Sequence, residues 1–198
     1  FNIDERIIES SRRKKIRLGI CSNFLYAHSI TKCYLNLIED LSKSGIELIV
    51  FRGYNDKFDK TTEYIISLAH KTINLPHSLG ESCKLILDSS IDILLYLDIG
   101  MSVKTYAMSL SRLALVQVLS SGHPQTSGSK NMDYFISSKK RETAFSDKNF
   151  SERIINFTRI PVNYSIPKII NSTFQISKLN ISEEEFIIGL PHTLFKFH

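Results

Sequence analysis

Short, nearly continuous apolar runs alternate with stretches whose apolar residues recur every three to four positions, and this alternation restricts the fold more than any other feature. Residues 16–21 (Ile-Arg-Leu-Gly-Ile-Cys) read as a buried strand, followed by a loop to His28 and a helix over 29–44. In that helix Ile30, Cys33, Tyr34, Leu37, Ile38 and Leu41 share one face, so one side packs on a sheet. Gly45 is the expected stop. Further strands are predicted at 46–51, 72–75, 91–97, 113–119 and 132–136, and further helices at 58–70, 79–89 and 103–111. Strands that are apolar on both sides and separated by helices need cover on both faces. The expectation is an α/β chain built on a parallel sheet.

Composition narrows the function classes. The chain has 198 residues, 42% of them hydrophobic and 23% charged, enough for one well-buried core and a partial second unit. No stretch approaches the roughly 18–20 consecutive apolar residues of a membrane span. No apolar export segment with a cleavage site precedes the first strand, so the expected location is cytoplasmic and no membrane partner is expected. The net charge is +5, and its sharpest concentration is Arg12-Arg13-Lys14-Lys15. That run is short, lacks interleaved aromatics and follows Asp4, Glu5 and Glu9, so it reads as a solvated linker and no nucleic-acid partner is expected. A positive cleft would equally suit a sugar-nucleotide diphosphate. Cys21, Cys33 and Cys83 fit neither a disulfide framework nor a zinc site, and read as small buried hydrophobes. No Asp-x-Asp pair is present to hold a metal, and no metal or resident cofactor is expected.

Parallel α/β sheets bind ligands beyond the C-terminal ends of their strands. Three polar loops fall there: 22–28, 98–102 and 120–130. The last, Ser-Ser-Gly-His-Pro-Gln-Thr-Ser-Gly-Ser-Lys, gathers turn formers, hydroxyls and His123, with two glycines that permit close backbone approach to a phosphate or sugar. On chemistry alone it is equally readable as a surface turn. The dinucleotide-binding pattern G-x-G-x-x-G is missing, since Gly19 lies inside the first strand, and neither a P-loop nor a G-x-S-x-G elbow occurs. Beyond residue 137 the pattern loosens into a polar stretch at 139–149, an extended one at 154–162 and a linker-like one at 165–180. A last apolar strand at 185–190 then leads into Pro-His-Thr-Leu-Phe-Lys-Phe-His.

Five segments in order carry a resemblance: Arg17-Leu-Gly-Ile-Cys-Ser-Asn-Phe-Leu-Tyr-Ala-His28; Tyr96-Leu-Asp-Ile-Gly-Met101 with Ser111-Arg-Leu-Ala-Leu-Val-Gln117; Gly122-His-Pro-Gln-Thr-Ser-Gly128; Met132-Asp-Tyr-Phe-Ile-Ser137; and Leu190-Pro-His-Thr-Leu-Phe-Lys-Phe-His198. Together, over about residues 16–198, they resemble the catalytic region of the O-GlcNAc transferase family, in particular its bacterial SPINDLY-like members. Bacterial N-glycosyltransferases that modify adhesins are related. The resemblance implies a GT-B architecture of two Rossmann-like lobes, downstream of tetratricopeptide repeats. Residues 1–15 would be a linker from such a repeat region, 16–165 the N-terminal lobe with its parallel sheet, and 166–181 an interlobe linker. Residues 182–198 would be the first strand of a truncated C-terminal lobe, making the chain an internal, by itself inactive, piece of a longer enzyme.

The resemblance also assigns roles. His28 matches the active-site histidine after the first strand, proposed as a base in the family, and imidazole chemistry suits proton transfer near neutrality. His123, Thr126 and Ser127 fall in the Gly-His-Pro loop at the donor or acceptor side of the cleft. Lys196 matches the lysine on the donor diphosphate, where a cation offsets charge on the leaving nucleotide, and Thr193 is a neighbouring donor contact. The implied reaction moves a sugar, GlcNAc from UDP-GlcNAc, to a Ser or Thr hydroxyl of a protein acceptor by direct inverting displacement, without a metal. Leu115 departs from the family's usual proline in its Arg-Leu-Ala-Pro-Val-Gln run, which puts the rigidity of that loop in question. Two alternatives stay open: another donor or an Asn acceptor on the same fold, and a non-catalytic α/β interaction module. The presence of His28, His123 and Lys196 together argues against the second.

Overall fold

The alternating runs assemble into one sheet. The computed structural model describes residues 2–53, 57–120, 122–143, 146–165 and 186. The chain divides into two compact units, Phe1–Ser165 and Ile166–His198, and the elements below belong to the first. Its strands are β1 (Arg17–Ser22), β2 (Glu47–Gly53), β3 (Lys71–Leu75), β4 (Ile93–Tyr96), β5 (Val116–Ser120), β6 (Tyr134–Ser138) and β7 (Arg153–Phe157). They lie in the order β3-β2-β1-β4-β5-β6-β7, and every neighbouring pair is parallel. The helices are α1 (Ile3–Ser11), α2 (Ser29–Lys43), α3 (Lys60–Leu68), α4 (Leu79–Asp88) and α5 (Val103–Ser109). The predicted strand at 185–190 lies outside the described residues, apart from Phe186.

The two-residue period of a strand divides the sheet's side chains between two cores. Leu18, Ile20, Leu48, Val50, Leu95 and Leu97 join Ile30, Tyr34 and Ile38 of α2 and Ile65 of α3 on one face. Cys21, Ile49, Phe51, Leu94, Tyr96 and Leu119 meet Ile86 of α4 and Met108 of α5 on the other. Each fully buried aliphatic or aromatic side chain contributes about 1.5–3 kcal/mol relative to exposure. Gly19 sits in the middle of β1 because nothing larger fits: a Cβ there would lie 2.9 Å from the Phe51 ring and 3.0 Å from a Leu94 methyl. Cys21 is buried, and burial pushes the Cys83 thiol up, with Lys104 pulling the other way more weakly. Cys21 belongs to the core, and Cys83 packs against it partly buried.

Two sequence expectations shift. The strand expected from 113 begins only at Val116, because the buried Gln117 side chain holds the preceding turn. Its amide oxygen accepts from the Leu113 N–H at 2.9 Å, while its amide nitrogen donates to the carbonyls of Ser111 and Asn131. Gln117 thus braces the turn that contains Leu115. The Arg112 guanidinium pairs with both carboxylate oxygens of Asp133, so the Arg…Gln run and the Met-Asp dipeptide of the sequence form one fixed corner.

The other shift is at the N-terminus, where residues 3–11 of the segment read as a linker form a helix capped by Asn2. Its apolar residues Ile3, Ile7 and Ile8 are all about half exposed, which is why no core-facing periodicity marks it. Arginines fix it to the N-terminal edge of the sheet. Arg6 donates to the Leu87 carbonyl and the Ser90 hydroxyl at the end of α4. Arg13, expected to be solvated with its basic neighbours, instead pairs with the buried Asp92, which also accepts the Arg17 N–H at 2.8 Å. Arg12, Lys14 and Lys15 remain exposed. Removing the Asp92 carboxylate leaves Arg13 only the half-exposed Glu9 at 3.3 Å and leaves the Arg17 N–H without its acceptor. Asp92→Ala should therefore lower unfolding stability by about 2–3 kcal/mol. Urea denaturation checks this, and a change below about 0.5 kcal/mol would mean that the pair is effectively solvated.

Candidate functional site

From β1 the chain steps outward to β2 and β3, then returns to lay β4 on the far side of β1. The C-terminal ends of β1 and β4 therefore form the switch point, the place where sheets of this kind take ligands, here called the crevice. The polar segments 22–28 and 97–102 flank that crevice, and the segment after β5 closes on it.

His28 sits at the start of α2 in extended backbone conformation and is its N-cap, a position usually held by Ser, Thr, Asp or Asn. Its Nδ1 accepts the Ile30 N–H at 3.2 Å. The ring stacks on Phe24, centroids 4.5 Å apart and planes 22° from parallel, and meets Tyr26 at 5.5 Å with a tilt of 60°. Burial, and secondarily the nearby Lys57, hold its pKa below the ordinary histidine value of 6.5. The loop itself is pinned at both ends: Asp59 accepts the Ala27 N–H at 2.8 Å, and the Thr31 hydroxyl donates to the Phe24 carbonyl at 2.6 Å.

The loops after β1 and β4 are joined directly, the fully buried Asp98 accepting the Asn23 N–H at 2.9 Å. The Asn23 amide donates to the Ser102 hydroxyl at 2.6 Å, and Ser102 caps α5. Two glycines let the third loop in. A Cβ at Gly122 would overlap the Leu97 carbonyl oxygen and lie 3.0 Å from an Ile30 methyl. A Cβ at Gly100, whose φ is +92°, would lie 2.9 Å from the His123 ring. Through these contacts the start of α2, the end of β4 and the Gly-His-Pro turn meet. The structure therefore brings the loop of His28 and the loop of His123 to one crevice.

Thr126 and Ser127 are placed differently from expectation. A buried carboxylate, Glu152, accepts the Thr126 hydroxyl at 2.7 Å, the Ser127 N–H at 2.8 Å and the Ser127 hydroxyl. The Thr126 oxygen in turn accepts the N–H groups of Gly128 and Ser151. Both hydroxyls thus shape the loop, and donation to a ligand phosphate would require them to leave Glu152. Sequence reading passed over Glu152, Asp98, Asn23 and Ser102. Glu152 is a lone acid in a polar stretch, and nothing in its spacing marks it. Asp98 and Asn23 stood inside the loops already singled out.

Some buried polar atoms without a hydrogen-bond partner lie at this edge, others on Thr72 and Tyr96. Among the described residues those at this edge include the Asn23 side-chain oxygen, the Ser120 hydroxyl and His123 Nδ1, all from segments that follow β1 or end and follow β5. A cavity of about 440 Å³ lies between α2 and residues 157–163, with Ser120 in its wall. Its lining is mainly apolar, with Asp40, Thr158, Arg159 and Asn163 as its other polar members. A polar groove of about 420 Å³ lies between Pro124–Thr126 and the stretch from Arg141 to Phe150. Among the described residues no group of three or more His, Cys, Asp or Glu could hold a metal ion, and no helix is long and apolar enough to cross a membrane. Thr193 and Lys196 lie outside the described residues.

Two measurements check this geometry. Glu152→Ala leaves the Ser127 N–H and hydroxyl without an acceptor, while Thr126 keeps the Ser151 hydroxyl, and should cost about 2 kcal/mol, with faster exchange of the Ser127 amide than in the unsubstituted protein. Unchanged exchange there would contradict the clamp. A histidine whose folded pKa is depressed contributes stability that is present above its unfolded value and lost as pH falls through the folded one. Thermal stability should therefore drop on acidification from about the unfolded histidine value of 6.5 down through the lower folded value. His28→Asn, which keeps a capping oxygen but does not titrate, should flatten part of that drop; an unchanged profile would remove His28 as a contributor.

No protein-family model and no curated protein matches the chain. Among solved structures, a lysine-to-methionine mutant of the O-GlcNAc transferase of Thermobaculum terrenum is similar, with 23% sequence identity and a TM-score of 0.66. The match covers 75% of this chain and 28% of that one, so the chain spans little more than a quarter of its neighbour's length. At this identity the likeness is one of fold: a seven-stranded parallel α/β sheet of the kind found in a GT-B glycosyltransferase.

Proposed function

We propose that the chain is the N-terminal lobe of a glycosyltransferase that moves a sugar from a nucleotide donor to a protein hydroxyl. UDP-GlcNAc is the donor we favour, and the mechanism is a direct inverting displacement without a metal. The observation that carries the reading is the convergence of loops at the strand-order reversal. There, loops holding His28 and His123 converge, and Asn23 and His123 present buried polar atoms that lack protein partners. Unpaired buried groups of this kind cost stability, and a bound ligand is one way to offset that cost.

In this reading His28 stands beside the acceptor hydroxyl and His123 lines the sugar or phosphate side. Thr126 and Ser127, clamped by Glu152, fix the turn that carries His123. Lys196 and Thr193, assigned through the sequence resemblance, meet the donor diphosphate, where the cation offsets charge on the departing nucleotide. The acceptor protein occupies the open side of the crevice. Residues 182–198 begin the second lobe, and 166–181 link the two.

The test is UDP release by the open reading frame that contains this chain, across a panel of sugar nucleotides. UDP-GlcNAc should be turned over, and Lys196→Ala should lower kcat by at least tenfold, on the order of 1.4 kcal/mol of transition-state stabilisation. The 198-residue chain by itself should show no turnover. No release with any donor from a folded protein would favour a binding module instead.

A further inference from the structure

We propose that His28 acts in the crevice as a hydrogen-bond donor through Nε2–H, and not as the proton acceptor its position first suggests. The argument begins at the helix cap. Nδ1 accepts the Ile30 N–H at 3.2 Å, and a ring nitrogen that accepts must keep its lone pair. The single proton of the neutral imidazole therefore resides on Nε2. Among the described residues Nε2 has no protein partner, so this N–H is free for a ligand oxygen.

Three features hold the ring in that state. Turning it over would replace Nδ1 by a carbon at the cap and leave the Ile30 N–H without its acceptor. Phe24 stacks on one face at 4.5 Å and Tyr26 packs against the ring at 5.5 Å, which restricts reorientation. Protonating Nδ1 would set a donor against the Ile30 donor, at a helix N-terminus that already disfavours a cation. Lys57 adds to that resistance from the β2–α3 connection. Asp59, which holds the Ala27 N–H, is the acidic group on the same side.

A general base needs a lone pair directed at the acceptor hydroxyl. Here that lone pair is engaged with backbone, and the other ring nitrogen carries hydrogen in both the neutral and the charged ring. His28 is thus suited to orient an oxygen of the bound ligand, whether a sugar or acceptor hydroxyl or a phosphate oxygen. The identity of that ligand rests on the glycosyltransferase reading, whereas the protonation pattern of the ring does not.

The first arm of the test uses the chain itself, labelled with ¹⁵N-histidine, with the His28 signals identified by their loss in His28→Asn. Long-range ¹H–¹⁵N correlation near neutral pH should show a protonated Nε2 and an unprotonated Nδ1. A protonated Nδ1, or a rapidly averaging mixture, would overturn the proposal. The second arm compares variants of the full open reading frame with UDP-GlcNAc. His28→Gln places an amide N–H near the Nε2 position, and should retain kcat within about tenfold with the acid limb of the pH profile unchanged. His28→Asn, which caps but cannot reach, should lose more than His28→Gln. A loss of about a hundredfold or more in both, together with disappearance of the acid limb, is the signature of a base and would also overturn it. If the unsubstituted protein transfers no sugar, the transferase reading fails, and the labelled-ring measurement still decides the state of His28.

Discussion

The reversal of strand order at β1 and β4 is the constraint on which the rest of the structure depends. Parallel strands joined by right-handed crossovers place the connecting helix on one face when the chain moves outward, and on the other when it returns. The outward steps put α2 and α3 over one core, and the return through α4 and α5 builds the other. Because the two halves diverge from β1, no helix spans the gap above it, and the loops after β1 and β4 are left facing a common space. Fold and site therefore follow from the same decision of the chain.

The crevice is built more from backbone satisfaction than from free side chains. Asp98, Asn23 and Ser102 tie the loop after β1 to the cap of α5, and Glu152 ties down the turn after β5. Gly100 and Gly122 lack side chains where two loops come into direct contact. Such a site is preorganised, since its donors and acceptors are largely fixed before anything binds. Its cost is visible in the partnerless polar atoms of Asn23 and His123, which lie on the crevice rather than in the sheet's cores.

Much of this was legible in the sequence, for identifiable reasons. The nearly continuous apolar runs of β1, β2 and β4 and the apolar stripe of α2 are strong signals because both faces of the sheet are buried. The strand order was not legible, since periodicity says nothing about neighbours. Glu152 escaped because its partners lie 25 and 26 residues away and only the folded loop joins them. α1 escaped because its contacts are made by arginines, with its isoleucines half exposed. The hydroxyls of Thr126 and Ser127 were recognised as a pair, yet their engagement with a buried carboxylate is a tertiary fact.

The claim that the crevice at the β1–β4 reversal binds a sugar nucleotide can be tested without turnover, by following backbone amide resonances of the ¹⁵N-labelled chain during titration with UDP-GlcNAc. The account predicts saturable shifts concentrated at residues 22–28, 98–102 and 122–128, including the Asn23 and His123 amides, with α1 and the N-terminal edge of the sheet unperturbed. Shifts centred instead on the apolar cavity between α2 and residues 157–163, or no saturable shift at millimolar ligand, would contradict it.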